Sequence, residues 1–186
     1  MSINGLKFID KSELENVMKE AGASSIATNI YPLIRRLVLS YLMYYIKQCN
    51  LLLEHTKSNT IELSDLQLIR RLNIETNAFN HGYYIEKIAH TMNLMGGGSA
   101  TISVRQGELD LHQLGGNKYK LYSLDKILKN ISKLNITVEA MILFRDITEN
   151  YIQKLIFNTI EYNKEMKKSN PRHITTDSVI NSLPFS

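Results

Sequence analysis

Cysteine is nearly absent: Cys49 stands alone, so neither an intramolecular disulfide nor a thiolate zinc cluster is available. A run of about 18 apolar residues is also missing, which argues against a membrane span. The opening MSINGLKFIDK has no apolar stretch of the kind a secretory signal carries. We therefore expect a protein that stays inside a cell or a particle and has no membrane partner. Neither sign of charge dominates, since 22 basic and 18 acidic residues leave a net +4. That balance permits nucleic-acid binding without demanding it.

The usual parts of an enzyme are missing too. His55, His81, His90, His112 and His173 form no i, i+4 metal pair with the required carboxylate, and no nucleophile stands beside a base. Gly96-Gly97-Gly98 lacks the lysine of a phosphate-binding loop and reads as a linker. No catalytic residue, metal or cofactor is expected, and the protein is read as a non-enzyme.

What is present is a repeat. A short amphipathic helix, a loop, a very long amphipathic helix, a loop and a short helix run from Ser12 to Leu72 and again from Ser123 to Leu183. In the first unit, 12–72, Ser12 and Glu15 suit a capping box, Leu14, Val17 and Met18 form one apolar face, and Gly22 closes the helix. Apolar residues then recur at three-four spacing from Ile30 to Leu53, with Pro32 tolerated in the first turn. The implied rod, roughly 40 Å long at 1.5 Å per residue, needs a partner of similar length. Cys49 falls on its apolar side, as do Tyr41 and Tyr45, and with Tyr44 they are read as packing residues. The loop HTKSNTIE follows, then a last helix with Ser64 as its cap and Arg70-Arg71 near its C-terminus.

The second unit, 123–183, opens with Leu124, Ile127, Leu128 and Ile131 on one face. Asn135 or Thr137 can cap a long helix whose stripe runs through Val138, Met141, Phe144, Ile147, Tyr151, Leu155, Ile156 and Ile160. The loop KKSNPRHIT and the helix TDSVINSL complete it. The offset between the units is 110 at the opening helix (Leu124 against Leu14) and 113 at the second loop (Ile174 against Ile61), so a few residues have been added before Ile174. Between the units, 73–122 is too long for a plain loop. A helix through Tyr83 to Met92, a hairpin in ATISVRQGELDLHQL and a hinge at Gly115-Gly116 are expected there.

The segment from Lys19 to Leu72 resembles histone H-four without a gap. Ile30-Tyr31 opens the long helix, Arg35 lies one turn in, Glu54-His55 closes it, Lys57 and Thr60 flank the second loop, and Asp65 starts the last helix. The second unit resembles histones more loosely, as either H-three or H-two-B, and the former is favoured because it is the family partner of H-four. The resemblance implies an all-α chain of two histone folds, a covalent histone pair like the fused core histones of large DNA viruses. It departs from the family where Ser25 replaces a minor-groove arginine and where Ser58 and Asn59 replace basic residues, which leaves Asp65 without its loop arginine. It also lacks long basic tails, so tail-mediated compaction is not expected.

In a histone pair the first loop of one fold lies beside the second loop of the other. Lys57, Asn59 and Thr60 would then face Lys133 and Asn135, while Lys167, Lys168, Arg172 and Thr175 would face Ser24 and Ser25. These residues, with Arg35, are the candidate contacts to the phosphates of double-stranded DNA; the alternative is that the lysines only solvate loop tips. Glu54 and His55 match the family surface for assembly with further copies or doublets through four-helix bundles, whereas Tyr162 to Met166 do not visibly reproduce it. The implied function is DNA packaging in nucleosome-like particles, in chromatin of a nucleus or a viral factory or packaged in a virion. The other reading is an interaction subunit of a transcription-factor-like complex with little DNA binding.

Overall fold

The computed structural model describes residues 9–76, 121 and 123–183, with the backbone alone for 73–76. The chain runs α1 (Lys11–Glu20), β1 (Ser25–Ile26), a 3-10 turn (Thr28–Ile30), α2 (Tyr31–Thr56), β2 (Thr60–Ile61) and α3 (Leu63–Thr76). It resumes with α4 (Leu124–Ile131), β3 (Asn135–Ile136), α5 (Val138–Glu165), β4 (His173–Ile174) and α6 (Thr176–Ser182). The structure is mostly helical, its strands being two residues each. The helix, hairpin and hinge expected between 77 and 120 lie outside the described residues, and 73–76 belong to α3 instead of to a connector.

Apolar spacing decides which faces are buried. Leu14, Val17 and Met18 on α1 are buried, and Gly22 follows at φ +106°, a left-handed conformation that suits glycine. Pro32 sits in the first turn of α2, where no helical hydrogen bond is lost. Cys49 is fully buried, and burial pushes its thiol pKa up to about 12. Tyr41, Tyr44 and Tyr45 are buried as well. In the second half Thr137 caps α5 by accepting a hydrogen bond from the Ala140 N–H at 3.3 Å. Val138 departs from its expected place in the apolar stripe and is 72% exposed, whereas Ala140 and Met141 in the same first turn are buried.

Two caps differ from expectation for one reason, namely that each helix starts earlier than its serine suggests. Asp10, not Ser12, precedes α1, and Glu15 pairs with Lys19 at 2.7 Å instead of reaching back. Glu13, at the third helical position, accepts from the Ser123 backbone N–H at 3.2 Å and from the Ser123 hydroxyl, while the Asp10 N–H donates to Ser123 Oγ at 3.1 Å. The starts of α1 and α4 are thus tied together. Ser64 lies inside α3, and Asp65 takes the capping role, its Oδ2 accepting from the Glu62 N–H at 2.8 Å.

The two halves interlock. Each short opening helix packs on the long helix of the other half, α1 on α5 and α4 on α2, and the long helices cross. Positions related by the offset of 110 are buried alike along both rods: Ile34 and Phe144, Leu42 and Ile152, Tyr45 and Leu155, Cys49 and Thr159. Tyr41 and Tyr151, also equivalent, stack on each other with centroids 4.3 Å apart and planes 10° from parallel. An approximate twofold axis therefore runs through this ring pair. The core is one contiguous cluster shared by both halves.

The pair Arg70 and Asp146 departs from that symmetry. Arg70, expected near the end of its helix, lies mid-helix in α3 and is 9% exposed. Its Nη1 reaches Asp146 Oδ2 on α5 at 3.2 Å, and Asn150 Nδ2 holds the other carboxylate oxygen at 3.1 Å. Burial raises the Asp146 pKa, and the Arg70 guanidinium only partly offsets it.

Candidate nucleic-acid interface

Two short parallel strand pairs build the two ends of the molecule. At one end β1 pairs with β4, with Ser25 opposite His173 and Ile26 opposite Ile174. At the other β2 pairs with β3, with Thr60 opposite Asn135 and Ile61 opposite Ile136. The outer residue of each pair is polar, while Ile61 and Ile174 are fully buried and anchor the loops. Because the strands run parallel, the segments that follow them, the 3-10 turn leading into α2 and α6 at one end, α3 and α5 at the other, start side by side. Helix starts carry unpaired N–H groups and positive dipole ends, which favour anions.

Lys57, Asn59, Thr60, Lys133 and Asn135 meet at the second of these ends. Lys57, Asn59, Lys133 and Asn135 are exposed, and Thr60 is half-buried, its hydroxyl donating to Asn59 Oδ1 at 3.3 Å. At the first end Ser25 meets the loop bearing Lys167, Lys168, Arg172 and Thr175. The N–H of Ser24 donates to the Arg172 carbonyl at 2.9 Å, and Ser25 Oγ lies 2.6 Å from His173 Nδ1. Lys167 and Arg172 are exposed. Lys168 bends back, donating to Ser178 Oγ at 2.9 Å, and Thr175 accepts from the Ser178 N–H at 3.1 Å as the cap of α6. Among the described residues no ion pair engages Lys57, Lys133, Lys167 or Arg172.

Lys57 and Lys167 are equivalent under the offset of 110, each directly or one residue beyond its long helix, and both adopt a left-handed backbone (φ 55° and 52°). For lysine that costs roughly 1 kcal/mol, which glycine would avoid. From Lys57 to Thr60 there are two intervening residues, Ser58 and Asn59; from Lys167 to His173 there are five, and these include Lys168 and Arg172. The change of offset from 110 to 113 is therefore the insertion that lengthens the loop carrying Lys168 and Arg172.

Asn163 holds that longer loop down and was not read from the sequence as a site residue. It is fully buried in α5, and its Nδ2 donates to the carbonyls of Pro171 at 3.0 Å and His173 at 3.3 Å. Its counterpart in the first half is Leu53. An asparagine in an apolar stripe was the available signal. His173, set across from Ser25, was read only as part of a basic loop.

Arg35 stands outside both clusters. Its Nε and Nη2 donate to the Ile9 carbonyl at 3.1 and 2.7 Å, clipping α2 to the start of α1. The equivalent Arg145 does the same for the second half by a bidentate pair with Asp125, Nε to Oδ1 at 2.9 Å. Both arginines thus read as structural clips. Glu54 and His55 are exposed on the last turn of α2, with Leu51 one turn earlier 47% exposed.

Among the described residues no group of three or more histidine, cysteine or acidic side chains is placed to hold a metal, and no helix is long and apolar enough to cross a membrane. Compared with models of protein families the chain matches none, and no curated protein matches it.

Proposed function

We propose that this chain is a covalent histone pair that packages double-stranded DNA through phosphate contacts without base specificity. The observation that carries the reading is the crossed pairing of loops, β1 with β4 and β2 with β3. It sets the exposed lysines of one half beside polar residues of the other at both ends of an interlocked helical body. Lysine in a left-handed position on each side, unpaired and solvent-facing, adds support. Such contacts fix position on the duplex and follow its shape, not its sequence. Joining both folds in one polypeptide fixes one-to-one stoichiometry and raises the effective concentration of one half for the other. Assembly into larger particles would use further copies or doublets at the α2 end bearing Glu54 and His55. The reading makes the protein a non-enzymatic component of chromatin or of a viral particle.

A second reading is favoured by Ser24, Ser25, Ser58 and Asn59, uncharged residues at the loop tips. It is a histone-fold adaptor that keeps the pair and has lost most DNA affinity. Nuclease digestion of DNA incubated with the full chain separates them. Discrete protected lengths are expected for the packaging pair, and an absence of protection at low salt would establish the adaptor.

A further inference from the structure

The Arg70–Asp146 contact joins the last helix of the first half to the long helix of the second, and the repeat shows what each residue would meet in any other pairing. Asp146 is equivalent, by the offset of 110, to Arg36. Arg70 is equivalent, by the offset of 113, to Leu183. If two first halves from separate chains paired in this geometry, each Arg70 would face an arginine. If two second halves paired, no cation would reach either Asp146, because Leu183 follows the last residue of α6 with an extended backbone. Only the first half against the second brings a cation to an anion.

We propose that Arg70 and Asp146 form a pairing selector, which makes the two halves of this chain choose one another over second copies of themselves. The inference is independent of whether the protein binds DNA. Arg70 and Asp146 side chains are 10% and 12% exposed, so the surroundings screen their charges weakly. A buried pair of this kind adds little net stability compared with apolar side chains, whereas leaving one member unpaired is strongly unfavourable. Its effect therefore falls on the wrong partners. The surrounding positions are specialised in the same sense: Glu149 and Lys154 stand on α5 where α2 carries Leu39 and Tyr44. The approximate symmetry that buries Ile34 like Phe144 would by itself allow homotypic pairs, and these charges remove that option.

The test uses the full chain in a Cys49→Ala background with two disulfide reporters. Cysteines at Thr60 and Asn135, register partners across β2 and β3, close within one chain when the first half pairs with the second. Cysteines at Ser25 and Thr60 lie at opposite ends of the molecule, yet they become register partners between two chains if first halves pair with each other. After refolding and oxidation, the unmodified charges should close the first reporter and leave the second silent. Asp146→Arg should lower intrachain closure roughly tenfold, and Arg70→Asp with Asp146→Arg should recover most of it, as a double-mutant cycle on a coupled pair requires. Asp146→Arg with Arg36→Asp should switch on the interchain reporter. Parent-like closure in Asp146→Arg, or no recovery in the reversed pair, would overturn the proposal. Should charge reversal prevent folding, Arg70→Met with Asp146→Leu decides. It should melt no lower than the parent and give interchain links that rise with concentration, and a silent interchain reporter at every concentration would overturn the selector.

Discussion

Tyr41 and Tyr151 occupy the same place in the two halves and stack face to face, yet their hydroxyls fare differently. That of Tyr41 has Tyr45 as a hydrogen-bond partner, while that of Tyr151 is buried without one. The same contrast recurs outward from the axis. Buried apolar positions agree between the halves, and the differences lie where polar groups enter: Arg36 against Asp146, Leu53 against Asn163, two loop residues against five. The symmetrical positions build the body. The asymmetrical ones set which half pairs with which and where positive charge collects.

The largest effect should come from breaking the buried pair. Asp146→Ala should lower unfolding free energy by about 3–5 kcal/mol, because Arg70 is left buried and alone. Arg36→Ala at the equivalent, exposed position should change it by less than about 0.5 kcal/mol. Urea titration of both variants checks this, and equal losses would remove the distinction between the halves.

Copying the first half's residue into the second, Asn163→Leu, should cost about 1–3 kcal/mol, since the carbonyls of Pro171 and His173 lose their donor. It should also loosen the cationic loop, seen as faster proteolysis between Lys167 and Arg172. The two left-handed lysines should behave alike: Lys57→Gly and Lys167→Gly should each stabilise the fold by about 1 kcal/mol while weakening DNA binding. A variant that gains stability and keeps full affinity would show that the lysine serves no contact.

The stacked tyrosines should respond unequally. Tyr41→Phe should cost about 1 kcal/mol through its lost hydrogen bond, and Tyr151→Phe should be neutral or slightly stabilising. The smallest effect concerns pH. Asp146 has its folded pKa raised, so the native state holds this proton to a higher pH than the unfolded chain does. Its contribution is therefore fully present below the ordinary aspartate pKa of about 3.9 and is lost as pH rises through the folded value. Asp146→Asn should lack that decline in a urea-midpoint series across the acid range.

Much of the body was legible in the sequence because period and length are local properties. The three-four spacing gave both long helices, Thr137 its cap and Cys49 its burial. The helix starts differ from those expected at Ser12 and Ser64, since Asp10 and Glu13 meet Ser123 of the second half, and Asp65 reaches the Glu62 N–H at the end of β2, only once the fold is in place. Arg70 looked like a helix-terminal cation because α3 continues to Thr76, past the visible stripe. Asn163 was hidden for a related reason: its partners are carbonyls of a loop that folds back eight to ten residues later. Arg145 with Asp125 and Arg35 with Ile9, contacts 20 and 26 residues apart in the chain, show how one repeated arginine finds different local partners in the two halves.

The most direct measurement is the affinity of the full chain for random-sequence duplex DNA as a function of salt. If Lys57, Lys133, Lys167, Lys168 and Arg172 all reach phosphates, log affinity should fall linearly with log salt at a slope of about −4.5. Replacing the three cations of the longer loop by alanine should bring that slope to about −2, and replacing Lys57 and Lys133 only to about −2.7. An affinity independent of salt, or no binding at low salt, would contradict the account.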